Sequence, residues 1–136
     1  MELYFPKNTD EVINILAEKP SSILHAGGTD MVPLLKNQDI KTEGLIFLSS
    51  ISDSKLKEVT VSKEQISIGS LMTLHDLANN QNIKELFPIL SDTANKIASP
   101  QIRYKATIGG NILVDNRCIY YNQTNLNQNC HGKCFK

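Results

Sequence analysis

With 136 residues, of which 40% are hydrophobic, the chain is long enough to bury one core and too short for two ordinary domains. Fourteen Lys and Arg balance fourteen Asp and Glu, so the overall charge recommends no nucleic acid, other polyanion or anionic membrane surface as a partner. The N-terminus has no basic stretch ahead of an apolar run, and no later segment approaches the ~20 apolar residues of a bilayer span, which points to a cytoplasmic protein.

Residues 3–5 form a short apolar run ended by Pro6. Asn8 then offers a capping side chain with Glu11 three residues on, so a helix is expected to start there. Val12, Ile13, Leu16 and Ala17 recur at helical spacing, and Pro20 closes the element. Residues 22–26 read as a buried strand broken by Gly27-Gly28. Thr29 and Asp30 follow as caps for a short helix through Met31, Val32, Leu34 and Leu35. Gly44 precedes a third apolar run, Leu45 to Leu48. Alternating strands and helices with short connections predict a small parallel βαβαβ unit, because parallel strands need crossovers.

From Leu56 the period changes to two. Leu56, Val59 and Val61 and then Ile66, Ile68 and Leu71 bracket a polar turn at residues 62–65, which predicts an antiparallel hairpin. Thr73 and Asp76 make a capping box that opens a short helix to Asn79, and Pro88 opens a longer one to about Ala98, which Ser99-Pro100 ends. Residues 101–111 read as extended up to Thr107-Ile108-Gly109-Gly110-Asn111. The fold class predicted is α+β, with an N-terminal subdomain of residues 1–55 and a mainly antiparallel second subdomain of residues 56–136. Within the latter, residues 115–136 are polar, rich in Asn and Gln, and expected to be irregular. All three Cys lie in that tail, an arrangement that suits a local metal or redox site better than a disulfide framework.

Two segments carry chemistry. In the first, Ala26-Gly27-Gly28-Thr29-Asp30 joins a strand to a helix, where glycines let the backbone approach a ligand and free amides can face an anion such as a pyrophosphate. It lacks both the G-x-G-x-x-G dinucleotide pattern and the Lys of a P-loop. In the second, Gly109-Gly110 is flanked by Thr107 and Asn111, and two such loops can grip one extended phosphate ligand from two sides. Both Gly pairs also read as plain turns, with Asn111 in a left-handed conformation.

The segments Leu24-His25-Ala26-Gly27-Gly28-Thr29-Asp30-Met31, continuing to Lys36, and Ile97-Ala98-Ser99-Pro100-Gln101-Ile102-Arg103, continuing through Thr107-Ile108-Gly109-Gly110-Asn111, resemble the FAD-binding subunit of the molybdopterin dehydrogenase family. Xanthine dehydrogenases and aerobic carbon monoxide dehydrogenases belong to that family, and residues 68–77 resemble a further family segment between the two. The resemblance, over residues 1 to about 122, implies FAD held between two α+β subdomains in the fold known as PCMH-type. It implies Leu24, His25, Ala26, Gly27, Gly28, Thr29, Asp30 and Met31 around the pyrophosphate. Thr107, Ile108, Gly109, Gly110 and Asn111 would lie on the flavin side, with Ile97 against the flavin ring. It also implies partners, a molybdopterin-binding large subunit and a 2Fe-2S small subunit, with the flavin exchanging electrons between clusters and an external carrier. The family's flavin module is longer than this chain, so an N-terminal fragment is expected.

Residues 115–124 are similar to the start of an insertion in the flavin subunit of 4-hydroxybenzoyl-CoA reductase, which binds a 4Fe-4S cluster through four Cys. Cys118 matches the first ligand, and Cys130 and Cys134 are candidates for two more. Their spacing of eleven residues and then three is tighter than the resemblance implies, and the fourth ligand is either absent from this chain or His131. A zinc site of Cys118, Cys130, His131 and Cys134 and three free thiols remain as alternatives. His25 and His75 read as core or capping residues, and Arg103 as a phosphate contact, a partner contact or a solvated side chain. Beside the flavin subunit stand two other readings, an accessory metal-binding or scaffold module and an inactive truncated product.

Overall fold

The computed structural model describes residues 1–37 and 41–115. Three parallel strands, β1 (Glu2–Tyr4), β2 (Ile23–His25) and β3 (Gly44–Phe47), form one sheet in the order β1-β3-β2. Two crossovers provide the connections, α1 (Thr9–Glu18) and α2 (Met31–Lys36). This is the βαβαβ unit that the alternation predicts. Register sets Leu3 and Ile23 beside Leu45, and Tyr4 and Leu24 beside Ile46.

Helix α1 starts where the capping pattern places it. Asn8 Oδ1 accepts the Glu11 amide at 2.9 Å, and Glu11 returns a carboxylate oxygen to the Lys7 amide at 2.7 Å. The first bond occupies an amide that the first turn otherwise leaves without a partner, and the second ties down the residue ahead of the cap. Val12, Ile46 and Ile51 form the buried cluster of this region, with Tyr4, Ile15, Leu16, Leu48 and Leu56 packed around it. Strand β2 differs from expectation. It is an edge strand with Leu24 45% exposed rather than a buried one, because β3 takes the central place and only that strand has a neighbour on both sides.

Two 3-10 turns, Leu48–Ser50 and Ser54–Lys57, lead out of the sheet. The hairpin follows as β4 (Val59–Val61) and β5 (Ile66–Ile68), antiparallel, with Val59 opposite Ile68. Leu56 belongs to the second 3-10 turn and not to the strand. Helix α3 (Leu74–Asn79) has Thr73 as its cap, whose Oγ1 accepts the Asp76 amide at 3.0 Å. A helix the periodicity does not reveal, α4 (Gln81–Leu86), then begins at Asn80, whose Oδ1 accepts the Ile83 amide. It is only six residues long, too short for a repeating apolar stripe.

Helix α5 (Pro88–Lys96) packs on α3, and Ser91 Oγ donates to the Ala78 carbonyl at 2.7 Å, which satisfies a hydroxyl buried between them. Met72, Leu77, Ala78, Ile83 and Ala94 make the second buried cluster, with Val59, Ile66, Ile68, Leu90 and Ile108 around it.

The expected extended stretch over residues 101–111 is replaced by two short helices, α6 (Pro100–Arg103) and α7 (Ile108–Ile112). Ser99-Pro100 does end the preceding helix region, but it also starts the next one. Pro fits the first helical position, and Ser99 Oγ accepts the Ile102 amide. Thr107 caps α7 by accepting the Gly110 amide at 3.2 Å. Extended backbone survives only around Ala106 and Thr107, which pair with residues 73 and 74 through a bridge between Thr73 and Thr107. The α+β class holds, with the parallel unit and the antiparallel hairpin both present. Among the described residues no helix is long and apolar enough to cross a membrane.

Leu77 has no exposed surface, so Leu77→Ala is expected to cost about 2–5 kcal/mol through lost transfer energy and a residual cavity. Ile13→Ala, at a side chain 63% exposed, should stay within about 0.5 kcal/mol. Denaturant unfolding of both variants measures the difference, and equal costs would contradict this placement of the core.

Candidate functional site

A segment of residues 69–74 runs through the middle of the molecule. On one side the Leu71 amide donates to the Leu56 carbonyl at 2.7 Å. On the other, Leu74 donates to Ala106, Ile108 to Met72, and Gly109 to Ser70, at 2.8 to 2.9 Å. The 105–109 segment is therefore held to the centre by backbone pairing. Its outer side meets the loop after β2. A Cβ on Gly27 would overlap the Lys105 carbonyl and lie 3.0 Å from Ala106 Cα, so glycine is what allows these two stretches to touch.

Where the two stretches diverge, a cavity of about 580 Å³ opens, a size within the range of small-molecule and cofactor sites. His25, Ala26 and Gly27 line one wall and Tyr104, Lys105 and Thr107 another. Phe47, Leu71 and Met72 supply apolar surface, and Thr73 and Asp76 come from the start of α3. Lys57 and Lys105 stand against one carboxylate, Asp76, in this lining, a balance that favours an anionic ligand. Asp76 is itself engaged, accepting the Thr73 hydroxyl at 2.7 Å.

The rings are arranged across the sheet. Phe5 stacks on Phe47 at a centroid separation of 4.9 Å, and Phe47 meets His25 at 4.5 Å, so one ring from each strand region continues the next. His75, from α3, lies 4.0 Å from Tyr104. His25 Nδ1 is buried without a hydrogen-bond partner among the described residues, a position that a ligand or a water would satisfy.

The two Gly pairs differ in kind. Gly28 has φ +69°, a conformation open to glycine at little cost, and its carbonyl accepts the Val32 amide at 3.0 Å to start the turn into α2. Asp30 stands at the N-cap of α2 with helical φ and ψ and no side-chain cap bond, unlike the cap the sequence suggests. Among the described residues the amides of Gly27, Gly28 and Thr29 donate to no protein acceptor. In the second pair the amides are already used. Ile108 donates to Met72, Gly109 to Ser70, Gly110 to Thr107 Oγ1, and Asn111 to the Thr107 carbonyl. Asn111 is helical, not left-handed.

Of the residues singled out from sequence, His25, Ala26, Gly27 and Thr107 come together on the cavity wall. Leu24 lies beside it on the exposed edge strand, and Gly28, Thr29, Asp30 and Met31 continue the adjoining loop into α2. Ile97 is half-buried at the C-cap of α5, and Ile108 packs into the second core cluster. Gly109, Gly110 and Asn111 lie in α7, behind Thr107. Sequence reading gave no site role to Phe47, Lys57, Leu71, Met72, Tyr104 and Lys105, because they come from four separate segments, at residues 47, 57, 71–72 and 104–105, and no local pattern links them. Cys118, Cys130 and Cys134 lie outside the described residues. Among those described, no group of three or more His, Cys, Asp or Glu is placed to hold a metal ion.

Comparison with known proteins yields a consistent set of similarities. The family model described as FAD binding domain in molybdopterin dehydrogenase matches residues 1–130. The carbon monoxide dehydrogenase medium chain of Hydrogenophaga pseudoflava is 30% identical over 112 residues, covering 82% of this chain and 38% of that one. The xanthine dehydrogenase FAD-binding subunit of Escherichia coli O157:H7 is 33% identical over 103 residues, covering 75% of this chain and 35% of that one. Among solved structures, a carbon monoxide dehydrogenase from H. pseudoflava superposes with TM-score 0.78 at 29% identity, over 82% of this chain and 39% of that one. Quinoline 2-oxidoreductase from Pseudomonas putida 86 superposes with TM-score 0.77 at 27% identity, over 81% of this chain and 38% of that one. The chain thus spans well under half the length of the relatives it matches.

Gly27→Ala is expected to force the 26–30 loop away from Lys105 and destabilise the protein by about 1–3 kcal/mol. Gly110→Ala should stay within about 1 kcal/mol, since a Cβ there meets only Thr107 Oγ1, at 3.0 Å, and Ala favours a helix. Thermal unfolding of the two variants distinguishes them, and equal losses would contradict the close approach at Gly27.

Proposed function

Because the chain belongs to the family of FAD-binding domains of molybdopterin dehydrogenases, we propose that it holds FAD in the cavity between the 26–31 loop and the 104–107 wall, and that it serves as an electron-transfer subunit. The observation that carries this reading is the set of unpartnered amides at Gly27, Gly28 and Thr29, next to a cavity lined by Lys57 and Lys105. Oriented amides and nearby cations suit a pyrophosphate, and apolar and ring surface from Phe47, Leu71, Met72 and Tyr104 suits a flat heteroaromatic group. The orphaned His25 Nδ1 adds a polar atom that a ligand can satisfy.

In this reading Gly27, Gly28 and Thr29, with Leu24, His25, Ala26, Asp30 and Met31 around them, hold the pyrophosphate. Thr107 and Ile97 border the flavin side, Gly110 and Asn111 fix Thr107 by donating to its Oγ1 and carbonyl, and Ile108 and Gly109 tie the segment to Met72 and Ser70. When bound, FAD supplies reversible electron exchange. The protein's own work is to orient the cofactor and shield it from water, while a separate subunit carries the organic substrate.

The proposed setting is a cytoplasmic complex with a molybdopterin-binding large subunit and a 2Fe-2S small subunit, in which this chain passes electrons between clusters and an external carrier. Within the chain, residues 1–55 and 56–136 are proposed as the two FAD-binding subdomains, and the chain as an N-terminal portion of a longer module. A 4Fe-4S cluster on Cys118, Cys130 and Cys134 is proposed on the likeness of residues 115–124 to the insertion in 4-hydroxybenzoyl-CoA reductase.

Anaerobic purification of the complex, followed by an absorbance spectrum and extraction of the flavin, tests the reading. FAD in proportion to this chain is expected, with absorbance that bleaches on dithionite. An intact complex that yields metal but no flavin would instead favour the scaffold reading, and one that yields neither would favour an inactive product.

A further inference from the structure

Arg103 is engaged with the backbone of its own chain. It sits half-buried in the last turn of α6, and its Nη1 donates to the carbonyls of Ile97 and Ala98, both at 2.9 Å. These carbonyls follow the end of α5, where backbone acceptors lose their helical partners and a cation is well placed to satisfy them. Ala98 has φ +46° and is the one non-glycine residue with positive φ among the described residues. A side chain in that region is strained, and such a conformation persists only where its surroundings enforce it. The two bonds from Arg103 bracket that residue and its predecessor.

The same short helix leads into the cavity wall. Lys105 and Ala106 donate to the Ile102 carbonyl at 3.0 and 2.8 Å, so the position of α6 determines where Tyr104, Lys105 and Thr107 face the cavity and where the Lys105 carbonyl meets Gly27. We infer that Arg103 is a positioning residue for the flavin site, a latch that holds the Ile97–Ala98 turn and ties the end of α5 to the segment forming the flavin-side wall. The inference rests on the proposal that FAD occupies this cavity. Arg103 itself is not among the residues that line the cavity.

The test uses the intact complex, stripped of flavin and reconstituted with FAD, carrying Arg103→Met or Arg103→Lys, each with and without Ala98→Gly. Two quantities are read, the dissociation constant for FAD and the visible circular dichroism of the bound flavin, which reports ring environment rather than global stability. Loss of a charge-assisted bond of this kind is expected to weaken FAD binding about tenfold in Arg103→Met and to change the flavin's dichroism. Adding Ala98→Gly, which removes the conformational penalty, should recover about threefold of that loss. Wild-type affinity and dichroism in Arg103→Met, whatever its melting temperature, would overturn the inference and leave the flavin reading intact. If the Met variant does not fold, Arg103→Lys decides. Weaker binding with altered dichroism supports the latch, and wild-type values overturn it. A wild-type complex that cannot be reconstituted with FAD defeats the flavin proposal and this inference together, before any variant is compared.

Discussion

The backbone pairing between residues 70–74 and residues 106–109 is the constraint on which the rest of the structure depends. Three hydrogen bonds, two of which form the Thr73–Thr107 bridge, hold together stretches separated by more than thirty residues. That pairing seats Thr73 as the cap of α3 and Thr107 as the cap of α7, so two helices start from one short ladder. It also requires Gly109, since a Cβ there would lie 2.8 Å from the Ser70 carbonyl. Close approach, rather than conformational freedom, explains that glycine.

From this ladder the site follows by steric consequence. The 105–106 backbone can come no nearer to the first sheet than Gly27 allows, and the cavity occupies the space where the two surfaces part. Its lining is set by what each side brings: His25, Ala26, Gly27 and Phe47 from the parallel sheet and its loop, and Leu71, Met72, Thr73 and Thr107 with the neighbouring Tyr104 and Lys105 from the ladder side. The first Gly pair keeps its amides available, while the second spends them within the protein. Two motifs that look equivalent on paper therefore differ in structure: the amides of the first have no protein acceptor among the described residues, and those of the second tie α7 to the ladder and to Thr107.

Strands, caps and the hairpin were legible because each depends on neighbours in sequence. Asn8 with Glu11 marks the start of α1, Thr73 with Asp76 marks α3, and the period-two pattern on either side of residues 62–65 marks β4 and β5. Residues 101–111 read as extended in sequence because Thr107-Ile108 has the composition of a strand, yet two short helices form there. The decisive bonds are local caps from Ser99 and Thr107, followed by long-range pairing through Ala106 and Ile108. Leu24 shows the same limit from the other side. Its apolar flanks suggest a buried strand, yet the order β1-β3-β2 leaves it at an edge. Local composition cannot specify strand order.

By itself the sequence determined the α+β class, the parallel unit, and a family resemblance that the comparisons support. These properties reside in short-range patterns, where a side chain and the backbone three or four residues away settle the outcome. Only the tertiary structure decided that Gly27 meets Lys105, that Phe5, Phe47 and His25 line up across three strand regions, and that Arg103 turns back onto Ile97 and Ala98. The first two join segments distant along the chain, and all three depend on how packed elements exclude water from the surfaces between them. The one-dimensional pattern of residues does not encode those distances in any local form.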